Sequence, residues 1–111
     1  MTIADIAEKL NFKIINEGEM KTREAKKVFC CDLLSLAMSK LPADAAWVTV
    51  MGNTNTLAVA SLADAACIIT AENVCPDENT VNKAKEQNIT VLKSEFPVFE
   101  TALMIDKLIN A

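Results

Sequence analysis

The stretch from Trp47 to Thr70, WVTVMGNTNTLAVASLADAACIIT, restricts the possible folds of this chain more than any other segment. Ala46–Met51 is apolar except for Thr49, as in a strand covered on both faces. Leu57–Ala63 is apolar nearly all round, which marks a helix buried beneath other elements or in a subunit interface. Ala66–Ile69 is a second buried strand. Between the first strand and the helix lies Met51-Gly52-Asn53-Thr54-Asn55, which holds one of only two glycines in the protein. Two strands joined by one helix run parallel through a right-handed crossover. In open sheets of that kind ligands gather just past the carboxyl ends of the strands, where this turn falls.

The flanking sequence extends the same pattern. Thr2 and Asp5 form a loose capping box before a helix with Ile3, Ile6, Ala7 and Leu10 on one face, and Asn11 suits its left-handed end. Phe12–Ile15 reads as a short strand and residues 16–19 as a turn. Residues 20–27, MKTREAKK, lack apolar periodicity and read as a solvated loop or arm. Val28–Cys31 reads as a strand, followed by a helix that Asp32 caps, that buries Leu34, Ala37, Met38 and Leu41, and that Pro42 stops. Beyond the central segment come a polar helix from Pro76 to about Gln87, a strand Ile89–Leu92 and a last helix opened by Pro97. Val81 and Ala84 are the expected inward residues of the polar helix; Val98, Ala102, Ile105 and Ile109 line the last one, with Phe99 and Leu103 widening its stripe. The alternation after Ala46 predicts an α/β domain with a mostly parallel sheet of about five strands, in a single unit over residues 1–111.

Composition limits the chemistry. The chain has no His, which removes the usual general base and every His-ligated metal site. Glycine stands only at positions 18 and 52, so neither a dinucleotide fingerprint nor a phosphate-cradling P-loop can be written. A net charge of −4 disfavours nucleic acid and anionic membrane surfaces as partners. The amphipathic N-terminal stretch lacks a signal-peptide core, and four cysteines without paired spacing read as reduced thiols; the expected compartment is cytoplasmic.

Several residues are candidates for binding. Backbone amides in the turn Gly52–Asn55 can hold an anion or a nucleotide phosphate at a helix start, with a side-chain bond from Thr54 or Asn55. The alternative is that Thr54 or Asn55 only caps the helix and Gly52 meets a positive φ. Asp32 is a cap first and a ligand second, and Glu72 and Asn73 fall on the same sheet edge as Gly52, as a second wall of a cleft. Arg23, Lys26 and Lys27 form a small basic cluster able to attract phosphate, although such runs more often face solvent. Asp64 is expected to satisfy nearby amides. Cys30 and Cys67 read as core residues, whereas Cys31, at a helix N-terminus, is the one candidate reactive thiol.

Cys31-Asp32-Leu33-Leu34-Ser35, Trp47–Asn53 and Ala58–Ile69 resemble the DRTGG domain, over nearly the whole chain. The resemblance implies a three-layer α/β/α sandwich, similar to the N-terminal domain of HPr kinase/phosphorylase, with a regulatory or dimerising role in place of catalysis. In the segment that names the family, Thr22–Lys27 here, only Arg23 matches, and the glycine before Asp32 is Cys31. The reading is therefore a non-catalytic, ligand-sensing, self-associating domain with no required cofactor. An adenine nucleotide is a candidate ligand, and the apolar helix 56–63 and the last helix are candidate pairing surfaces. An accessory protein docking onto a redox enzyme of the hydrogenase type is the alternative. A small enzyme working through Asp32, Asp64 or Glu72 is a remote third.

Overall fold

The computed structural model describes residues 1–111. Its elements are α1 (Ile3–Leu10), β1 (Lys13–Asn16), β2 (Lys27–Cys30), α2 (Leu34–Lys40), β3 (Ala45–Thr49), α3 (Thr54–Ala63), β4 (Cys67–Thr70), α4 (Glu78–Gln87), β5 (Val91–Lys93) and α5 (Val98–Ile109). The strands form one sheet in the order β1-β5-β4-β3-β2, with β1 antiparallel to β5 and all other neighbours parallel. The α/β sandwich with a mostly parallel five-stranded sheet expected from the alternation is thus present.

Strand alternation divides the core in two. Ala46, Val48, Cys67, Ile69 and Leu92 pack with Ile3, Ile6 and Ala7 of α1 and Ile105 of α5. Ala45, Trp47, Ile68 and Val91 pack with Ala37 of α2, Leu57, Val59 and Ala60 of α3, and Ala84 of α4. All five residues of β3 are buried, which accounts for its unbroken apolar run. α2, α3 and α4 therefore lie on one face, as right-handed crossovers between strands laid down in one direction require. From β2 onward, only after β5 does the chain pass to the face that α1 also covers.

Local signals explain the helix ends. The capping box is made in both directions: the Asp5 amide donates to Thr2 Oγ1 at 3.2 Å and the Thr2 amide to Asp5 Oδ2 at 3.1 Å. Asn11, Asp64 and Asn88 end α1, α3 and α4 with φ of 57°, 58° and 57°, a conformation Asn and Asp tolerate better than other non-glycine residues. No helix is long and apolar enough to cross a membrane.

The structure corrects several local expectations. Residues 20–27 are packed rather than a free arm, because Met20 and Ala25 are buried and the Ile3 and Ala4 amides donate to Arg23 O and Met20 O, both at 2.9 Å. In α2 only Ala37 is fully enclosed, and Met38 is 61% exposed. α3, flanked by α2 and α4, still leaves Leu62 80% exposed, so its apolar circumference is not wholly covered. Cys30 is exposed on the edge strand, where no second neighbour encloses it.

Candidate ligand-binding rim

The carboxyl ends of β2 to β5 form one rim, built from Asp32, the turn 52–55, the loop 71–77 and the loop 94–97. Asp32 does not cap α2. The N-cap is Leu33, without a side-chain bond, and Asp32 Oδ1 instead accepts from Thr49 Oγ1 at 2.7 Å and the Val50 amide at 2.8 Å. Trp47 Nε1 donates to Cys31 O at 3.0 Å, so residues 31 and 32 fasten the exit of β2 to the end of β3. With the Val50 amide taken by Asp32 and the Met51 amide by Thr49 Oγ1, β3 ends at Thr49 rather than at Met51. Cys31 therefore lies ahead of the α2 terminus and donates its Sγ proton to Leu33 O at 3.3 Å.

The cap of α3 is Asn53, not Thr54 or Asn55: its Oδ1 accepts from the Thr56 amide at 3.1 Å. Thr56 Oγ1 donates to Met51 O at 2.7 Å, which closes the turn on itself. The amides of Thr54 and Asn55, like the first amides of any helix, have no partner within it. Gly52 does not adopt a positive φ; among the glycines only Gly18 does. The need for glycine at 52 is proximity, since a Cβ there would lie 3.3 Å from Pro76 Cγ and 3.5 Å from Thr70 Cγ2.

Pro76 and Gly52 thus meet at the mouth of a narrow crevice of about 10 Å³, floored by Ile68, Thr70 and Thr80 between the starts of α3 and α4. Thr80 is 3% exposed, and its Oγ1 is the one buried side-chain polar atom without a hydrogen-bond partner. Its amide is satisfied by Asp77 Oδ1 at 2.8 Å, and this backbone bond holds the Asp77 carboxyl below its ordinary range. The inward pair on α4 is Thr80 and Ala84, with Val81 half-buried beside them. Sequence reading passed over Thr80 because a threonine on a polar helix attracts no attention, yet its i, i+4 spacing to Ala84 is the signal that would have found it.

Glu72 and Asn73 stand on the same rim, both left-handed with φ of 56° and 59°. Their amides donate to Phe96 O and Ser94 O, each at 2.8 Å. The loops leaving the neighbouring strands β4 and β5 run to opposite helical layers, to α4 and to α5, which is where a parallel α/β sheet ordinarily opens a ligand crevice. Here those two backbone bonds zip the loops after β4 and β5 together. The open place is one strand over, beside Gly52–Asn55.

Arg23 lies at the opposite rim. Its Nη2 donates to Asp44 Oδ1 at 3.0 Å and to Asp64 O at 2.7 Å, and its Nη1 pairs with Asp64 Oδ1 at 3.0 Å. Partial burial opposes the charge, but the bonds to Asp64 and Asp44 outweigh it and raise the guanidinium above its ordinary value. Arg23 therefore ties the residue before β3 to the end of α3, beside a polar cavity of about 170 Å³ that Glu19, Ser61 and Asn88 also line. Lys26 lies 3.8 Å from Asp44 and Lys27 begins β2, so the basic cluster is dispersed. The structure brings Asp32, Gly52, Asn53, Thr54, Asn55 and Glu72 to one rim and leaves Arg23 at the other. No group of three or more His, Cys, Asp or Glu side chains is placed to hold a metal ion. Burial pushes the Cys67 thiol up to about 12, which makes it a core residue in chemistry as well as position.

Layering, winding and rim define a three-layer α/β domain whose open crevice lies between two helix starts. The model of the DRTGG domain family matches residues 5–108, and the chain belongs to that family. The fold is similar to the crystal structure of the CBS and DRTGG domains of the regulatory region of Clostridium perfringens pyrophosphatase, complexed with its activator diadenosine tetraphosphate. The TM-score is 0.76 at 16% identity, covering 94% of this chain and 45% of that one, so this chain spans less than half of its length. No curated protein matches the chain.

Proposed function

We propose that this chain is a regulatory domain that senses a small ligand at the Gly52–Asn55 rim, associates with itself and catalyses no reaction of its own. The observation that carries the reading is the crevice under that turn, where the Thr80 hydroxyl is buried without a partner. A buried hydroxyl left unbonded costs free energy that a single ligand oxygen, the size of the one water this crevice of about 10 Å³ has room for, can return. Above it, the start of α3 offers backbone amides to phosphate or carbonyl oxygens. Family membership supports a regulatory role, and the activator bound by the pyrophosphatase regulatory region makes adenine nucleotides the first ligands to test. A non-catalytic role fits the carboxylates, for Asp32 is bonded to Thr49 and Val50, Asp64 to Arg23, and Glu72 stands exposed in a backbone clamp.

Thermal denaturation with AMP, ATP, diadenosine tetraphosphate and inorganic phosphate tests this directly. Ligand at about 100 times its dissociation constant stabilises the fold by about 2.7 kcal/mol. Asn53→Ala lowers the unliganded melting point, because it removes the cap, and also shrinks the ligand-induced increment. Unchanged melting in every compound at millimolar concentration refutes nucleotide sensing. An increment retained in full by Asn53→Ala moves the site away from this rim.

A further inference from the structure

The sheet order leaves β2 on an outer edge. The Ala66 and Ala71 amides donate to Ala45 O and Thr49 O, and the Val50 amide to Asp32, so β3 turns its odd residues to β4 and its even ones to β2. By strand alternation Lys27 and Phe29 bond inward to β3 while the amides and carbonyls of Val28 and Cys30 point out of the sheet. Apolar surface is exposed in both helical layers at this end. On one, Val28 and Cys30 join Phe99, Ala102 and Leu103 of α5 around an open groove of about 240 Å³, with Phe99 68% exposed. On the other, α2 is the outermost helix and exposes Leu33 at 59%, Leu36 at 46% and Met38 at 61%. Unpaired edges are ordinarily blunted by charge, proline or a covering element. Here Lys27 is the only charged residue of the strand.

We infer that β2 pairs with β2 of a second copy, antiparallel about a two-fold axis, to give one continuous ten-stranded sheet. The inference rests on the self-associating reading above and specifies its interface. Hydrogen-bonding parity and charge select the register. Outward residues must face outward residues, which permits Val28 opposite Cys30, with Phe29 on the axis, or pairings with Val28 or Cys30 itself on the axis. Phe29 on the axis sets Lys27 opposite Cys31, Val28 opposite Cys30, and Lys26 opposite Asp32 of the second copy, an attractive pair at each end. The shift that sets Val28 on the axis puts Glu24 opposite Asp32, which repels. A short peptide strand would cover the edge but neither flanking helix. A second copy presents matching pads in both layers, as an isologous interface does.

In this register Val28 and Cys30 form a hydrogen-bonded pair, with Cα atoms about 5.5 Å apart, inside the range of a disulfide. Val28→Cys is therefore expected to form two intermolecular disulfides per dimer with the native Cys30, and the crosslinked dimer is lost in Val28→Cys/Cys30→Ser. The full wild-type chain at roughly 100 μM should sediment as a dimer. Phe99→Glu, an exposed site that leaves the fold intact, should weaken that dimer by about tenfold or more. A monomeric wild-type mass overturns both this interface and self-association. A dimer that resists Phe99→Glu, and in which Val28→Cys yields no crosslink to Cys30, overturns the interface alone. Crosslinked species larger than dimers exclude the two-fold arrangement.

Discussion

Thr80→Val isolates the energetic claim behind the proposed site. Thr80 is 3% exposed, its Oγ1 has no partner, and Ile68 and Thr70 lie around it. Valine has the same branching and nearly the same helix propensity, and it is the Thr80 backbone amide, not the side chain, that donates to the Asp77 cap. The substitution therefore exchanges a stranded hydroxyl for a methyl group and changes little else. An unsatisfied buried hydroxyl costs about 1–3 kcal/mol, so the variant should gain about 1–2 kcal/mol, which for a domain of this size is a rise in melting temperature of roughly 4–8 °C. Thr80→Ser, which keeps the hydroxyl and drops the methyl, should lose about 1 kcal/mol through the new void. Urea titrations of the three proteins give the differences at equal m-value. If Thr80→Val is less stable than wild type by about 1 kcal/mol or more, the hydroxyl has a partner in solution and the reasoning fails. If it is more stable and also responds less to ligand, the same hydroxyl that penalises the free protein contributes to the bound one.

Three further outcomes follow from the geometry. Gly18→Ala should cost well over about 2 kcal/mol or prevent folding, because φ is +52° and the new Cβ would lie 2.6 Å from the Thr90 amide nitrogen; Gly52→Ala, with contacts of 3.3 Å and longer and no positive φ, should cost under about 1 kcal/mol in the same urea assay. Arg23→Ala should cost about 1–2 kcal/mol, discounted for the partial exposure of the pair, and Arg23→Lys should recover little because one ammonium cannot reproduce bonds to both Asp44 and Asp64. Asp77 and Asp5 are held below their ordinary carboxyl range in the folded state, so the stability they add is present above the unfolded value near 3.8 and fades as pH falls through the lower folded value. Asp77→Asn should flatten that acid limb in melting-point measurements, leaving the neutral-pH fold intact.

Much of the architecture could be read directly from side-chain periodicity. The unbroken run at 45–49 declares a doubly covered strand, and Thr2 with Asp5 announces a helix start that the structure makes bond for bond. What escaped reading depends on partners distant in sequence. Asp32 looks like a cap because the next helix is two residues away, but Thr49 and Val50 hold it across a neighbouring strand. Arg23 looks like solvent-facing charge until Asp44 and Asp64 converge on it. Of the two glycines, the one in the conspicuous turn is the less constrained, and Gly18 owes its necessity to Thr90, far along the chain. The candidate rim was legible as a turn after a strand, whereas the buried hydroxyl beneath it required α4 to be laid beside α3.

Because β2 to β5 are wound in one direction, α2, α3 and α4 all begin at the same rim and end at the other. Their peptide dipoles add, so one end of the domain is electrically positive in its backbone and the other negative. Side chains oppose this polarity, with Asp32, Asp77 and Glu78 at the starts and Arg23 against the finish of α3. Two copies joined along β2 in the antiparallel sense would point these dipoles in opposite directions. A partner arriving from either side of such an assembly would meet the same alternation of ends, and the backbone share of its long-range field would largely cancel.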